Sequence, residues 1–244
     1  MQSPEELLTR VLNYLSEKFK NKLILKGGIL LRLYNSPRAT QDIDFVLLSK
    51  ESKKKLKTLL IEALKEMEEI KIEKIELNSR GIFIDVTNPE GEQRCLIEIN
   101  VLASTHLPPE PISTAPLAQK YSLSARVVSA MSFAEAFSHK IAAGLERNAL
   151  RDLYDLSQME AMGIFDTPTL MERLSSLSIG RTKPKSVPIK QAAQILRERL
   201  ERLTQKRIEE ELYPLLPVEY HAGVLRIIQA SVGRLIQQLE EKDY

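Results

Sequence analysis

One cysteine, Cys95, is all the thiol the chain of 244 residues contains, so it can close no disulfide on itself. A lone cysteine inside an apolar segment reads as a small buried hydrophobe rather than a nucleophile, and its isolation suits a reducing compartment. No apolar run approaches membrane-spanning length, and the polar, acidic start from Gln2 to Glu6 is unlike a signal peptide. A soluble, cytoplasmic protein with no membrane partner is expected. The three histidines, His106, His139 and His221, are scattered without metal-ligand spacing, which speaks against zinc. Charge of one sign is also missing. At a formal +2 no global field draws the chain onto nucleic acid, and any such binding must use a local patch. No internal repeat is evident.

What is present fits an ordinary globular chain, long enough for one large domain or two modest ones. Residues 4–19 carry an apolar stripe at helical spacing (Leu7, Leu8, Val11, Leu12, Leu15, Phe19). An apolar strand, Leu23-Ile24-Leu25, runs into a glycine pair, and a short helix follows around Ile29–Tyr34. Residues 52–67 read as an amphipathic helix with Leu56, Leu59, Leu60, Ala63 and Leu64 inward. Strands are expected over 71–77, 81–86 and 93–102, with Asn88-Pro89-Glu90-Gly91 as a turn. Four prolines between 106 and 117 mark a linker, beyond which the pattern is almost wholly helical. Ser132-Phe133-Ala134-Glu135 is a capping box, Asp166-Thr167-Pro168 a second helix start, and two long helices are expected over 190–212 and 218–240. The fold class is therefore α+β, a helix-flanked sheet followed by a C-terminal helical bundle. The domains are drawn as 1–115 and 116–244.

Chemistry concentrates between residues 25 and 45. Asp42 and Asp44 sit at i and i+2 of an apolar strand, on one face and roughly 6.5 Å apart at Cα, while Ile43, Phe45 and Leu47 take the other. Two like charges on one face of a buried-looking strand repel unless a cation neutralises them, so the pair suits one or two Mg2+ ions. With thirteen residues between them and Asp42, Gly27 and Gly28 let backbone N–H groups approach a phosphate chain, because no Cβ intervenes. Metal plus phosphate cradle points to nucleotide chemistry. A third carboxylate is needed opposite the first two. Glu98, isolated among apolar neighbours on the 93–102 strand, is the first candidate, and Asp85 in Ile84-Asp85-Val86 is its rival.

The segment Lys26-Gly27-Gly28, then Arg38-Ala39-Thr40-Gln41-Asp42-Ile43-Asp44-Phe45, resembles the AbiEii/AbiGii toxin family of nucleotidyltransferases, within the DNA polymerase β superfamily. Cys95-Leu96-Ile97-Glu98-Ile99-Asn100 is similar to that family's third-carboxylate strand, and Lys140 with Arg151-Asp152-Leu153-Tyr154-Asp155 to its later motifs. The resemblance covers about residues 22–100 and 132–157. One position departs from the pattern: Ile29 stands where the family carries serine or threonine, the residue whose hydroxyl is expected to touch a phosphate.

The resemblance implies a polymerase-β-like nucleotidyltransferase domain and a helical domain completing the nucleotide and acceptor cleft. Asp42, Asp44 and Glu98 would hold two Mg2+ ions. Lys26, Gly27, Gly28, Arg38 and Lys140 would hold an NTP. Arg151, Asp152 and Asp155 would form a supporting ion-pair network or touch the nucleotide. The acceptor would be RNA, foremost the 3′ end of tRNA, and the protein a toxin with a cognate antitoxin. A protein or small-molecule acceptor, and a non-catalytic nucleotide-binding relic, are the alternatives.

Two further features are read from the residues themselves. On one continuous helix Gly144, Arg147 and Arg151 would fall within about 40° of Lys140, a cationic stripe with Asp155 beside it. From Arg181 to Arg207 nine cations (Arg181, Lys183, Lys185, Lys190, Arg197, Arg199, Arg202, Lys206, Arg207) face two acids, Glu198 and Glu201. Such a run suits an RNA backbone, with Arg197, Arg199 and Arg202 at its centre, although no aromatic residues interleave for base stacking.

Overall fold

Asp42 and Asp44 alternate with Ile43 and Phe45, and that period of two fixes how the sheet is built: the two apolar side chains are wholly buried while both acids stay partly exposed. The computed structural model describes residues 3–179 and 183–242. Arg181, the first residue of the basic run, lies outside the described residues. The chain divides into two compact units, residues 1–132 and 133–244.

The first unit opens with α1 (Pro4–Phe19), capped by Ser3, whose hydroxyl accepts the Glu6 N–H at 3.2 Å. Then come β1 (Leu23–Lys26), α2 (Gly27–Leu33), β2 (Asp42–Leu48) and α3 (Lys53–Lys65). They are followed by β3 (Lys71–Leu77), β4 (Ile82–Thr87), β5 (Arg94–Leu102), β6 (Glu110–Ser113), α4 (Ala115–Ala118) and β7 (Val127–Ala130). The seven strands form one sheet in the order β3-β4-β5-β2-β1-β7-β6. β2 runs parallel to β5 and β1 parallel to β7; the remaining pairs are antiparallel. The core gathers Leu7, Leu8, Leu12 and Leu15 of α1 with Ile43, Phe45, Ile97 and Ile99 of the sheet, all fully buried. Each such side chain contributes about 1.5–3 kcal/mol. Leu59 departs from the expected inward face of α3 and is 41% exposed.

Residue 115, where a domain boundary was expected, lies within this first unit. The proline-rich stretch contributes β6, an edge strand whose Pro111 costs no ladder hydrogen bond on its outer side, and β7 then joins the sheet beside β1.

The second unit consists of α5 (Phe133–Glu146), α6 (Leu150–Met162), α7 (Thr167–Leu174), α8 (Ile189–Glu201), α9 (Gln205–Glu211) and α10 (Val224–Glu241). Its centre includes Ile141, Leu156, Ala193, Leu196, Val232 and Leu235. Asp166 caps α7 by accepting the Thr169 N–H at 2.8 Å. Two expectations change here. The helix expected over 190–212 is two, because the Thr204 hydroxyl caps a new start at Gln205, accepting from Arg207 N–H at 3.3 Å. The last helix begins at Val224, after Gly223 with φ +75°, rather than at Val218. No helix among the described residues is long and apolar enough to cross a membrane.

Candidate active site

β1 passes into α2 without a loop, and Gly27 makes that possible. Its φ of +74° lies in the left-handed region that L-residues avoid. A Cβ built on Gly27 would come 2.0 Å from Asp44 Oδ2, so the carboxylate occupies the space a side chain would need. Gly28 is less confined: a Cβ there would meet Thr40 Oγ1 at 3.0 Å and Arg38 Nη2 at 3.1 Å, both on side chains. The glycine bend thus faces the acidic strand directly, with Lys26 paired in register to Asp44.

On the other side of β2 the parallel register sets Asp44 opposite Glu98 and Asp42 opposite Leu96. Burial, and then the negative charge of Asp44, hold the Glu98 carboxyl above the usual carboxylate range; Asp42 adds to the rise, while Lys26 and a hydrogen bond with Asn100 oppose it. Three carboxylates therefore share one electrostatic neighbourhood. Among the described residues no three acidic, histidine or cysteine side chains are already drawn into a metal cage. The oxygen donors and their mutual repulsion nevertheless fit a hard divalent cation, which would relieve the strain that raises Glu98.

Asp85 does not join this group. It is buried on β4, where Arg94 Nε donates to its Oδ1 at 2.7 Å and Arg94 Nη2 donates to Oδ2. Its charge is already answered. Arg38 is also buried, and its Nη1 donates to the Ala39 carbonyl at 2.9 Å, which holds the guanidinium against Gly28. Ile29 is wholly buried, so the side chain at that position belongs to the core. Burial, followed by the negative charges of Asp42 and Asp85, pushes the Cys95 thiol far up, which leaves it inert.

In the helical unit the expected single stripe is broken. Arg147, Asn148 and Ala149 separate α5 from α6, so Lys140 and Arg151 belong to different helices. Gly144 lets the two pack closely, since a Cβ there would meet Leu156 Cδ1 at 3.0 Å. Lys140 Nζ donates to Asp155 Oδ2 at 2.8 Å and lies 3.7 Å from Asp152 Oδ1, and Arg147 Nη2 donates to that same Asp152 oxygen at 2.9 Å. The ion-pair network exists, with Arg147 in the place expected of Arg151, which is exposed. Asp152 and Asp155 are fully buried, so as they stand they hold Lys140 rather than reach a nucleotide.

The basic run is largely spent on internal contacts. Arg199 donates from Nη2 to the Leu145 carbonyl at 2.6 Å and from Nη1 to the Arg147 carbonyl, covering the end of α5. Arg197 pairs with Glu240 at 2.5 Å and Arg207 with Glu211 at 2.7 Å. Of the three arginines at its centre only Arg202 is an exposed charge without an ion pair among the described residues.

A strand–glycine–helix turn closed on an acidic strand, with a third acid in register beside it, is the architecture of a nucleotidyltransferase. The profile of the family described as "Nucleotidyl transferase AbiEii toxin, Type IV TA system" matches residues 10–226, and the chain belongs to that family. It is a nucleotidyltransferase toxin of a type IV toxin–antitoxin system, which implies an NTP substrate and an antitoxin partner. Among solved structures it is similar to MenT4, a nucleotidyltransferase toxin of Mycobacterium tuberculosis H37Rv, with TM-score 0.61 and 18% identity over 97% of this chain and 86% of that one. It is also similar to JHP933 of Helicobacter pylori (TM-score 0.55, 14% identity, 98% and 93% of the two chains). A second H. pylori structure gives TM-score 0.54 at 13% identity over 98% and 96%. At these identities the likeness is one of fold. A comparison with curated proteins found no match.

Proposed function

We propose that the chain moves a nucleotide from an NTP onto the 3′ end of tRNA in a Mg2+-dependent reaction in the cytoplasm. The register of Asp44 with Glu98, beside a Gly27 that yields its side-chain space to Asp44, is the observation that carries this reading. Asp42 and Asp44 would hold two ions and Glu98 would complete the set on the acceptor side. Bound Mg2+ supplies the charge that favours an ionised acceptor hydroxyl and a departing pyrophosphate. The chain's own groups orient and hold: Gly27 and Gly28 offer backbone N–H donors, Lys26 and Arg38 offer positive charge beside them, and Asp44 and Glu98 keep a fixed spacing because both lie on paired strands. Lys140 is the helical unit's candidate phosphate ligand, its ammonium oriented by Asp155 and Asp152.

Incubation with each labelled NTP, Mg2+ and total tRNA tests the proposal. Label on tRNA that is lost with Asp42→Asn and with Mg2+ removal is the expected result. Label that survives Asp42→Asn, or that appears on protein and not on RNA, overturns it.

A further inference from the structure

We propose that the end of the sheet opposite the carboxylates is where the phosphate backbone of the RNA acceptor docks. The inference rests on the acceptor being RNA and adds a location.

Strand directions assemble this surface from segments far apart in sequence. β2 runs from Asp42 at the site end to Leu48 at the other, six residues and about 20 Å away. Leu23 pairs with Leu47, so Lys20 and Lys22, just before β1, stand at the Leu48 end. Lys50 follows β2 there, where the Ser49 N–H donates to the Leu102 carbonyl at 2.9 Å. The β3–β4 turn arrives at the same end: Ile82 pairs with Ile99, Asn100 Nδ2 donates to the Arg80 carbonyl at 3.1 Å, and Lys53 Nζ donates to the Ser79 carbonyl at 2.6 Å. Lys22, Lys50 and Arg80 thus lie across the ends of four neighbouring strands, over about 15 Å.

Lys20, Lys22, Lys50, Lys54 and Arg80 are exposed and, among the described residues, make no ion pair. Of the acids near this end, Glu51 pairs with Lys55 at 2.6 Å, Glu17 with Arg126 at 3.4 Å and Glu76 with Lys74 at 2.5 Å. A chain of formal charge +2 therefore concentrates unneutralised cations on one end of one sheet. Clustered like charges repel, and a polyanion that releases its counterions relieves the repulsion. Beside the row lies a cavity of about 380 Å³, between the 20–22 turn and β7, with Lys20, Asn21, Arg126 and Ser129 among its walls. It adds hydrogen-bonding groups to the charges. The exposed apolar side chains here, Leu77, Leu102 and Val127, stand on three strands that are not neighbours in the sheet and form no continuous apolar centre of a protein interface, which favours RNA over an acidic protein. This surface contrasts with the 183–207 run, most of whose central arginines already have partners.

The test is the salt dependence of tRNA binding by the full-length chain carrying Lys22→Glu, Lys50→Glu and Arg80→Glu together. Relative to wild type, affinity at 0.1 M salt should fall at least tenfold and the slope of log K against log[salt] should flatten by about 2–3 units. Binding of a non-hydrolysable NTP with Mg2+ and the melting temperature should be unchanged, which separates a lost RNA contact from a damaged fold. Single Lys22→Gln, Lys50→Gln and Arg80→Gln variants should each flatten the slope by about one unit. Wild-type slope and affinity in the triple variant overturn the location. So does competition by polyglutamate as effective as that by tRNA, which would mark a surface for an acidic protein. Wild-type protein that binds no RNA at all refutes the acceptor reading itself, a different outcome from either.

Discussion

Gly27 and Asp44 are fitted to one another: the carboxylate oxygen of Asp44 stands where a side chain on Gly27 would begin, 2.0 Å from its Cβ position. A backbone held at φ +74° and a carboxylate pressed against it make one rigid feature out of two sequence motifs thirteen residues apart. Any β-carbon at position 27 must expel Asp44, unwind the bend, or both.

Gly27→Ala should therefore cost about 1–3 kcal/mol in stability from backbone strain and about a hundredfold or more in nucleotide transfer from displacement of Asp44. Gly28→Ala is the control. Its Cβ would press on the ends of the Thr40 and Arg38 side chains, at 3.0 and 3.1 Å, and these can yield by a few tenths of an ångström. Denaturant melts and labelling assays on the pair should show Gly27→Ala as clearly the worse. Equal effects would mean that Asp44 is not what position 27 protects.

Glu98 gives a pH signature in metal-free protein. Its carboxyl is raised above the ordinary value of 4.5, first by burial and then by Asp44. Well below 4.5 the folded and unfolded chains both carry the proton and Glu98 costs nothing. As pH rises through the raised value, the folded chain must surrender that proton beside Asp44 and Asp42, and stability is lost. Glu98→Gln has no proton to lose. It should be more stable than wild type at neutral pH without metal, with the gap closing on acidification. Added Mg2+ should raise the wild-type melting temperature more than that of the variant, and transfer should fail in the variant. A gap that widens toward acid would reverse the sign and reject the electrostatic account.

That Asp42, Asp44 and Glu98 share a face was legible because strands alternate with period two: an acid between Ile97 and Ile99 on one strand, and two acids around Ile43 on another, stand opposite the buried apolar face. Which strand lay beside which was not legible, and that adjacency is what separates Glu98 from Asp85. The break at 147–149 left no mark either, since Arg147-Asn148-Ala149 contains neither proline nor glycine and the apolar spacing continues through it. β6 was read as a linker because an edge strand tolerates the proline that usually argues against one. The basic run misled for a related reason. Sequence shows how many cations are neighbours along the chain, but not that Glu240 or the end of α5 will meet them.

Lys140 sits between two buried acids, with Asp155 at 2.8 Å and Asp152 at 3.7 Å. Asp155→Ala leaves a largely buried ammonium with half its partners and should destabilise the chain by about 3–5 kcal/mol. The double variant Lys140→Met, Asp155→Leu removes both charges, and most of that stability should return. Transfer should not return, if the ammonium acts on phosphate as well as on its partners. Recovery of both stability and transfer in the double variant would reduce Lys140 to a structural role.

Arg199 and Arg202 lie three residues apart on the basic run and should behave as different kinds of residue. Arg199 is half-buried and its guanidinium serves the Leu145 and Arg147 carbonyls, two acceptors at the end of α5 that have no later helical N–H to meet. Burial lowers its affinity for the proton and the nearby Asp152 restores part of it, as expected of a cation placed for its hydrogen bonds. Arg199→Ala strands those carbonyls and should cost about 1–3 kcal/mol, read as a shifted denaturant midpoint. Arg202 is exposed and Arg202→Ala should stay within about 0.5 kcal/mol of wild type. A loss of nucleotide transfer in Arg199→Ala must therefore be compared at matched stability, for instance well below the melting temperature of the variant. At that comparison transfer should return to near the wild-type level, because the guanidinium is occupied by backbone. A deficit that persists in fully folded Arg199→Ala, together with a weaker salt dependence of RNA binding, would put the arginine back on the RNA surface and remove it from the helix end.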